Sequence, residues 1–384
     1  MLDATAPDDH PTAEAPEALF RSCDPAAFIT LCRRQRVQAL VARSKLIAHP
    51  TFPSDARDAL QADARRNALR ALDLHRELRA VLDALRSAGV AAMPLKGTGL
   101  SSRLYGDLSA RNSGDIDLLV APHDWAATDE QVRARGYRNF TTPGALPHDC
   151  EYILLRSRHD AEYRHGSTNI ALEVHWRWVR NPTVLPTDTG ALLALLPEQK
   201  CDGLTTRVPT PETEFVFLCA HGVRHRFARF MWLNDIRWLL SRHPHMDWHR
   251  IADLSDHGTA VALHTLALLG CHLPDDAPLE VLPGWRRAGT RRLALRCLKR
   301  MGAAAYDAKR NSLEELADEW TLAPSIRSFM RGYFWHRVVL PNDRDITTLH
   351  LPRVLHIIYP LIRPWLWLWR QRRVPAPPQA SDER

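Results

Sequence analysis

Asp115 and Asp117 stand two positions apart in the stretch Arg111-Asn112-Ser113-Gly114-Asp115-Ile116-Asp117-Leu118-Leu119-Val120. In a strand, residues two apart project from the same face. The two carboxylates would then lie side by side, while Ile116 and Leu118 point to the opposite face and anchor in a core. Neighbouring carboxylates repel and raise one pKa unless a cation neutralises them. A hard divalent ion is the natural counter-charge, and Mg²⁺ commonly takes one or two carboxylates together with substrate phosphates. The plainer reading of a bare Asp-x-Asp is a solvated strand end, and two other segments count against it here. In Ala171-Leu172-Glu173-Val174-His175-Trp176, alternation puts Leu172, Val174 and Trp176 on one face and Ala171, Glu173 and His175 on the other. An acid in such an apolar run is costly unless it is paired or metal-bound; the alternative is an edge strand with one wet face. Upstream, Pro94-Leu95-Lys96-Gly97-Thr98-Gly99 reads as a strand end entering a helix. Glycine lets backbone approach a phosphate, a helix N-terminus offers free N–H groups, and Lys96 and Thr98 add a charge and a hydroxyl.

The elements that must hold these residues follow from the surrounding pattern. Val90 to Leu95, Ile116 to Val120, Tyr152 to Leu155 and Ile170 to Trp178 are expected as strands, and Ala126 to Arg135 as a helix closed by Gly136. Residues 90–210 are therefore expected to be an α/β domain. Before it lies a helical segment, 19–89, with a strong helix from Ser54 to Ser87. Ser54 is its expected N-cap, and Leu60, Leu69, Leu72, Leu78, Val81, Leu82 and Leu85 its apolar stripe. After it, residues 211–373 read as a helical domain, with helices expected over Glu212 to Phe227, Met231 to Arg242, Trp248 to His257, Ala260 to Leu269 and Trp285 to Met301. The ends, 1–18 and 374–384, are Pro-rich and polar and are expected to be disordered.

The three chemical segments together resemble the minimal nucleotidyltransferases of the DNA polymerase β-like superfamily, and in particular a bacterial nucleotidyltransferase family with a Leu-Lys-Gly turn, a Gly-Asp-x-Asp strand and an acid-x-His-Trp strand. Here these are Leu95-Lys96-Gly97, Gly114-Asp115-Ile116-Asp117 and Glu173-Val174-His175-Trp176. The block His221 to Leu240 looks like a further characteristic segment of that family, so the resemblance spans roughly residues 85–240. It implies an α+β fold: a small mixed-sheet palm flanked by N-terminal helices and a C-terminal helical domain. It also implies Mg²⁺- or Mn²⁺-dependent transfer of a nucleoside monophosphate from an NTP to an acceptor hydroxyl. Asp115, Asp117 and Glu173 would be the catalytic metal ligands, and Lys96, Gly97, Thr98, Arg111 and Gly114 would lie at the nucleotide. The chain departs from the usual Gly-Ser or Gly-Gly turn in having Gly97-Thr98, 18 positions ahead of Asp115.

Other features bound the reading. His221 and His225 have the i, i+4 spacing of a zinc pair but no HExxH context; lining a cleft with Arg224 and Asp235, or packing between helices, is the alternative. Arg292, Arg296, Lys299 and Arg300 share a helical face that could track an RNA backbone or simply be solvated. Trp365, Trp367 and Trp369 beside Arg370, Arg372 and Arg373 make the segment 359–373 a candidate for peripheral membrane contact, or for plain packing of the C-terminus. A net charge of +7, 45% hydrophobic and 25% charged residues exclude a wholly disordered or fibrous chain. Seven scattered cysteines point to a cytoplasmic setting, and an acidic N-terminus without Lys or Arg before Arg21 argues against secretion. The rival expectations are a non-catalytic RNA-binding protein of this fold and a membrane-surface accessory protein in polysaccharide or peptide-product assembly. The acceptor is open: an RNA end, a peptide or a small molecule.

Overall fold

Parallel strands need a crossover, whereas antiparallel neighbours can follow each other directly, and both kinds of pairing occur here. The computed structural model describes residues 24–141, 150–179, 188–274, 277–302, 312–334 and 339–373. The expected disordered ends, 1–18 and 374–384, lie outside them. Strands β1 (Ala92–Pro94), β2 (Asp115–Val120), β3 (Tyr137–Asn139), β4 (Asp160–His165) and β5 (Ala171–His175) form one mixed sheet in the order β1-β2-β5-β4-β3. Only β2 and β5 run parallel; β1, β4 and β3 pair antiparallel with their neighbours. A separate hairpin joins β6 (Glu198–Cys201) to β7 (Leu204–Arg207). Its turn is Asp202-Gly203, both at positive φ, the chemistry that a two-residue hairpin requires.

The alternation expected around Glu173 is present: Leu172, Val174 and Trp176 are all fully buried. Ile116 and Leu118 are buried likewise, so one face of β2 and β5 belongs to the core and the other is left for Asp115, Asp117, Glu173 and His175. The 34-residue helix Ser54–Ser87 covers the apolar face with its C-terminal half, through Leu74, Leu78, Val81, Leu82 and Leu85. Its N-terminal half, through Ala56 and Leu60, enters a second core with Phe215, Phe230, Ile236 and Leu263. One helix thus bolts the sheet to the helices that follow residue 210.

Several local expectations are corrected. The segment expected as a strand over Tyr152 to Leu155 lies in a helix, Glu151–Ser157, which buries Ile153 and Leu154 in different cores. A four-residue apolar run carries no period that separates the two states. Ser54 is the first helical residue rather than its cap: Pro53 precedes the helix and makes no side-chain cap bond. Leu69 and Leu72 are exposed, and Leu74 takes the inward position instead. Ahead of Ser54 the expected helical segment is broken up: Pro25–Arg34, Gln38–Val41 and Lys45–Ala48 are separate helices among the described residues, with Arg36 in a left-handed conformation between the first two.

Candidate active site

The register of β2 against β5 pairs Asp115 with Ala171 and Asp117 with Glu173. Hydrogen-bonded strands lie about 4.8 Å apart, so Asp117 and Glu173 project as neighbours from the same face. On the far side of β5, β4 sets Glu162 opposite Glu173. Beyond the end of β1, the Leu95 amide donates to the Asp117 carbonyl at 3.0 Å, which brings the next residue, Lys96, over the acids. The Lys96 Nζ then pairs with Asp117 Oδ1 at 2.8 Å. His175 Nε2 lies 3.3 Å from the same oxygen and 3.4 Å from Glu173 Oε2, bridging the two strands.

Charge is unevenly matched across this cluster. Burial penalises the Asp117 carboxylate, but Lys96 and His175 more than offset that and hold it well below the usual carboxylate range. The adjacent Asp117 charge, with burial, pushes Asp115 up to about 6. Burial alone would lower His175; hydrogen bonds to Asp117 and Glu173 instead raise it to about 9, so its ring is cationic at neutral pH. Its Nδ1 is buried without a hydrogen-bond partner. Asp117, Glu173 and His175 each offer a ligand atom within 4.8 Å of the others, as do His159, Asp160 and His175.

The acids form the floor of a cleft of about 270 Å³, and its walls are basic and aromatic: Arg36, Arg111, Arg224, Arg229, His221, His225 and Trp232 all line it. The helices Pro211–Arg224 and Phe230–Arg242, together with the turn between them, supply most of that wall. Between them the chain turns through Arg226 and Phe227, both at positive φ, with the Phe227 ring packed on Gly222. Arg111 is held by Asp235, Nε to Oδ2 at 3.0 Å, and the Tyr105 hydroxyl donates to the other oxygen of Asp235 at 2.6 Å. Burial pushes the Asp235 carboxyl up while these two donors pull it back.

The structure therefore gathers Asp115, Asp117, Glu173, Lys96, Arg111 and Gly114 around one cleft. Gly97 and Thr98 stand apart from its lining. They open the helix Gly97–Tyr105 behind Lys96, both buried, with Thr98 Oγ1 3.3 Å from His75 Nδ1. Gly97 has φ +73°, a conformation that favours glycine. Asp235, expected at the cleft, lies fully buried behind Arg111. His221 and His225 pack on each other and on Trp232, and neither belongs to a candidate metal-ligand group among the described residues. Sequence reasoning passed over Arg36, Glu162 and Trp232. Arg36 lies 79 positions before Asp115 with no local motif to mark it. Glu162 could have been flagged only by recognising β4.

A family model described as "Uncharacterised nucleotidyltransferase" matches residues 21–274, about two thirds of the chain, and includes every residue of the cleft. The chain belongs to that family of nucleotidyltransferases. No curated protein and no solved structure matches it.

Proposed function

We propose that this chain is a nucleotidyltransferase that moves a nucleoside monophosphate from an NTP to an acceptor hydroxyl. The observation that carries the reading is the parallel register that sets Asp117 beside Glu173, with Asp115 on the same face, at the floor of a basic cleft. The donor set fits a hard divalent cation: Asp117 and Glu173 bring ligand oxygens within 4.8 Å of each other, Asp115 lines the same cleft, and the local cations leave Asp115 still raised by its neighbour's charge. Asp115, Asp117 and Glu173 would hold Mg²⁺ or Mn²⁺, which when bound supplies charge neutralisation at the triphosphate and at the attacking and leaving oxygens.

The remaining chemistry falls to the chain's own groups. Arg36, Arg224 and Arg229 line the same cleft as the acids and suit the polyanionic triphosphate. Lys96 sits where it can pass from Asp117 to a phosphate oxygen. Glu173, the partly exposed acid of the pair, accepts the acceptor's hydroxyl proton. The acceptor oxygen then bonds to the α-phosphorus, the bond from that phosphorus to the oxygen bridging to the β-phosphate breaks, and pyrophosphate leaves with the electron pair. The scattered cysteine spacing, with no paired motif, supports a reducing, cytoplasmic setting.

The test is incubation of purified protein with each α-³²P-labelled NTP, Mg²⁺ or Mn²⁺, and lysate fractions of RNA, protein and small molecules. Wild type is expected to transfer label to one class of acceptor, and Asp115→Asn to lose roughly 10³-fold of that rate with its fold retained. Equal transfer by Asp115→Asn, or NTP-independent RNA binding with no transfer, would overturn the reading.

A further inference from the structure

The C-terminal helix Tyr359–Arg373 lies outside the family match and has two distinct faces. Its inner face is tied down. Tyr359 is fully buried with Cys150 and Ile153, Ile362 and Leu366 pack against them, and Arg363 Nε pairs with the buried Asp345 at 2.8 Å. The opposite face is apolar and bare. Leu361, Trp365 and Leu368 follow the i, i+4, i+7 rule and are 76%, 72% and 43% exposed. The preceding 3₁₀ segment Arg353–Ile358 extends the same stripe with Val354 and Ile357, each 83% exposed. Isolated apolar residues on a surface need no explanation, but a continuous stripe across two elements, one of them anchored from behind, does.

Charge decides between occupants. From Ile346 to Arg373 the sequence has five arginines (Arg353, Arg363, Arg370, Arg372, Arg373) and no Asp or Glu. Of these, Arg363 is consumed by Asp345. An apolar ridge bearing tryptophan, in a stretch of sequence that carries arginine and no acid, matches the interface of an anionic bilayer, where indole rings sit at headgroup depth and guanidinium groups meet lipid phosphates. No helix among the described residues is long and apolar enough to cross a membrane, so the contact would be peripheral. We infer that residues 353–369 form a docking ridge that seats this protein on the surface of an anionic lipid membrane.

Flotation of the full chain with vesicles of phosphatidylcholine, with and without phosphatidylglycerol, tests this without any need for turnover. Wild type is expected to float with the anionic vesicles, roughly tenfold more than with the neutral ones, and to be released by high salt. The double variant Ile357→Ser/Trp365→Ser should lose roughly tenfold of that binding with its thermal unfolding unchanged, since both side chains are exposed. Should it unfold early, Val354→Ser/Leu361→Ser replaces it. Absence of flotation by wild type, undiminished flotation of both variants, or a concentration-dependent dimer that the variants abolish would overturn the inference.

Discussion

Asp235 illustrates how a charge that touches no substrate can govern a site. It is fully buried, and with its oxygens on Arg111 and Tyr105 it fixes the guanidinium that lines the cleft wall. Removing one member of a buried pair strands the other's charge in a low-dielectric interior, which typically costs about 3–5 kcal/mol. Asp235→Ala should therefore lower stability by that order in chemical denaturation, and Tyr105→Phe by only about 1 kcal/mol, because it deletes one neutral donor. Equal losses would show that Arg111 is not held by Asp235. At this scale the acids were legible in sequence, because period two assigns Asp115 and Asp117 to one face and Glu173 opposite Leu172 and Val174 without reference to anything distant. The basic wall was not, since Arg36, between two short helices, lies far along the chain from Arg224 and Arg229, which flank a turn, and only the fold brings them to one cleft. The Gly97-Thr98 turn shows the reverse: the motif is present, yet Thr98 is buried against His75 rather than lining the cleft.

The helices that carry the wall depend on two junctions. At the first, Gly222 accepts the Phe227 ring so closely that a Cβ there would collide with it, and Phe227 is buried at the turn between the two helices. Gly222→Ala should cost about 1–3 kcal/mol through overpacking. It should also weaken NTP-induced thermal stabilisation, because Arg224 and Arg229, on either side of the turn, both line the cleft; an unchanged NTP response would separate the turn from the site. At the second junction, Asp256 caps the helix His257–Leu268 through Gly258 N–H, but burial pushes its carboxyl up to about 7. The folded state therefore holds this proton more tightly than the unfolded chain, where an Asp titrates near 3.9. The stabilisation is complete below about pH 4 and is lost as pH rises towards 7. Asp256→Asn keeps the cap and removes the titration. The variant should melt higher than wild type at pH 8, with that part of the pH dependence gone. The extent of long, periodic elements such as Ser54–Ser87 was legible, although the cap of that helix and two positions of its apolar stripe were not. The short ones were not: β3 has three residues, and the β6–β7 hairpin was missed despite its Asp202-Gly203 turn, because Glu198, Gln199 and Lys200 are exposed and polar and offer no apolar alternation.

Across the whole molecule, charge is distributed by pairing rather than by segment. The run from Arg286 to Arg300 has no acid of its own, which suggested a nucleic-acid face. In the fold, Arg296 pairs with Asp318 at 2.8 Å, and Arg287 donates to His257 and the Ala323 carbonyl. The neutralising partner of Arg296 comes from a helix further along the chain, Ser312–Leu322, and no local reading could supply it. The C-terminal segment is attached in the same way. Asp345, fully buried, closes a capping box with Asn342 and holds Arg363, while the Tyr152 hydroxyl and His356 Nδ1 join the Glu151–Ser157 helix to the 3₁₀ segment at 2.5 Å. These contacts form a small core of their own, separate from the two that build the cleft. Stability need not be uniform across such a molecule, and a unit with few buried contacts opens first. Asp345→Ala should therefore expose residues 339–373 to limited proteolysis at a several-fold higher rate, while NTP-induced stabilisation of the remainder persists. If cleavage is unchanged, the segment is held by its apolar contacts alone. If the NTP response is lost as well, the C-terminal core and the cleft are one cooperative unit, and the docking ridge and the active site cannot be varied independently.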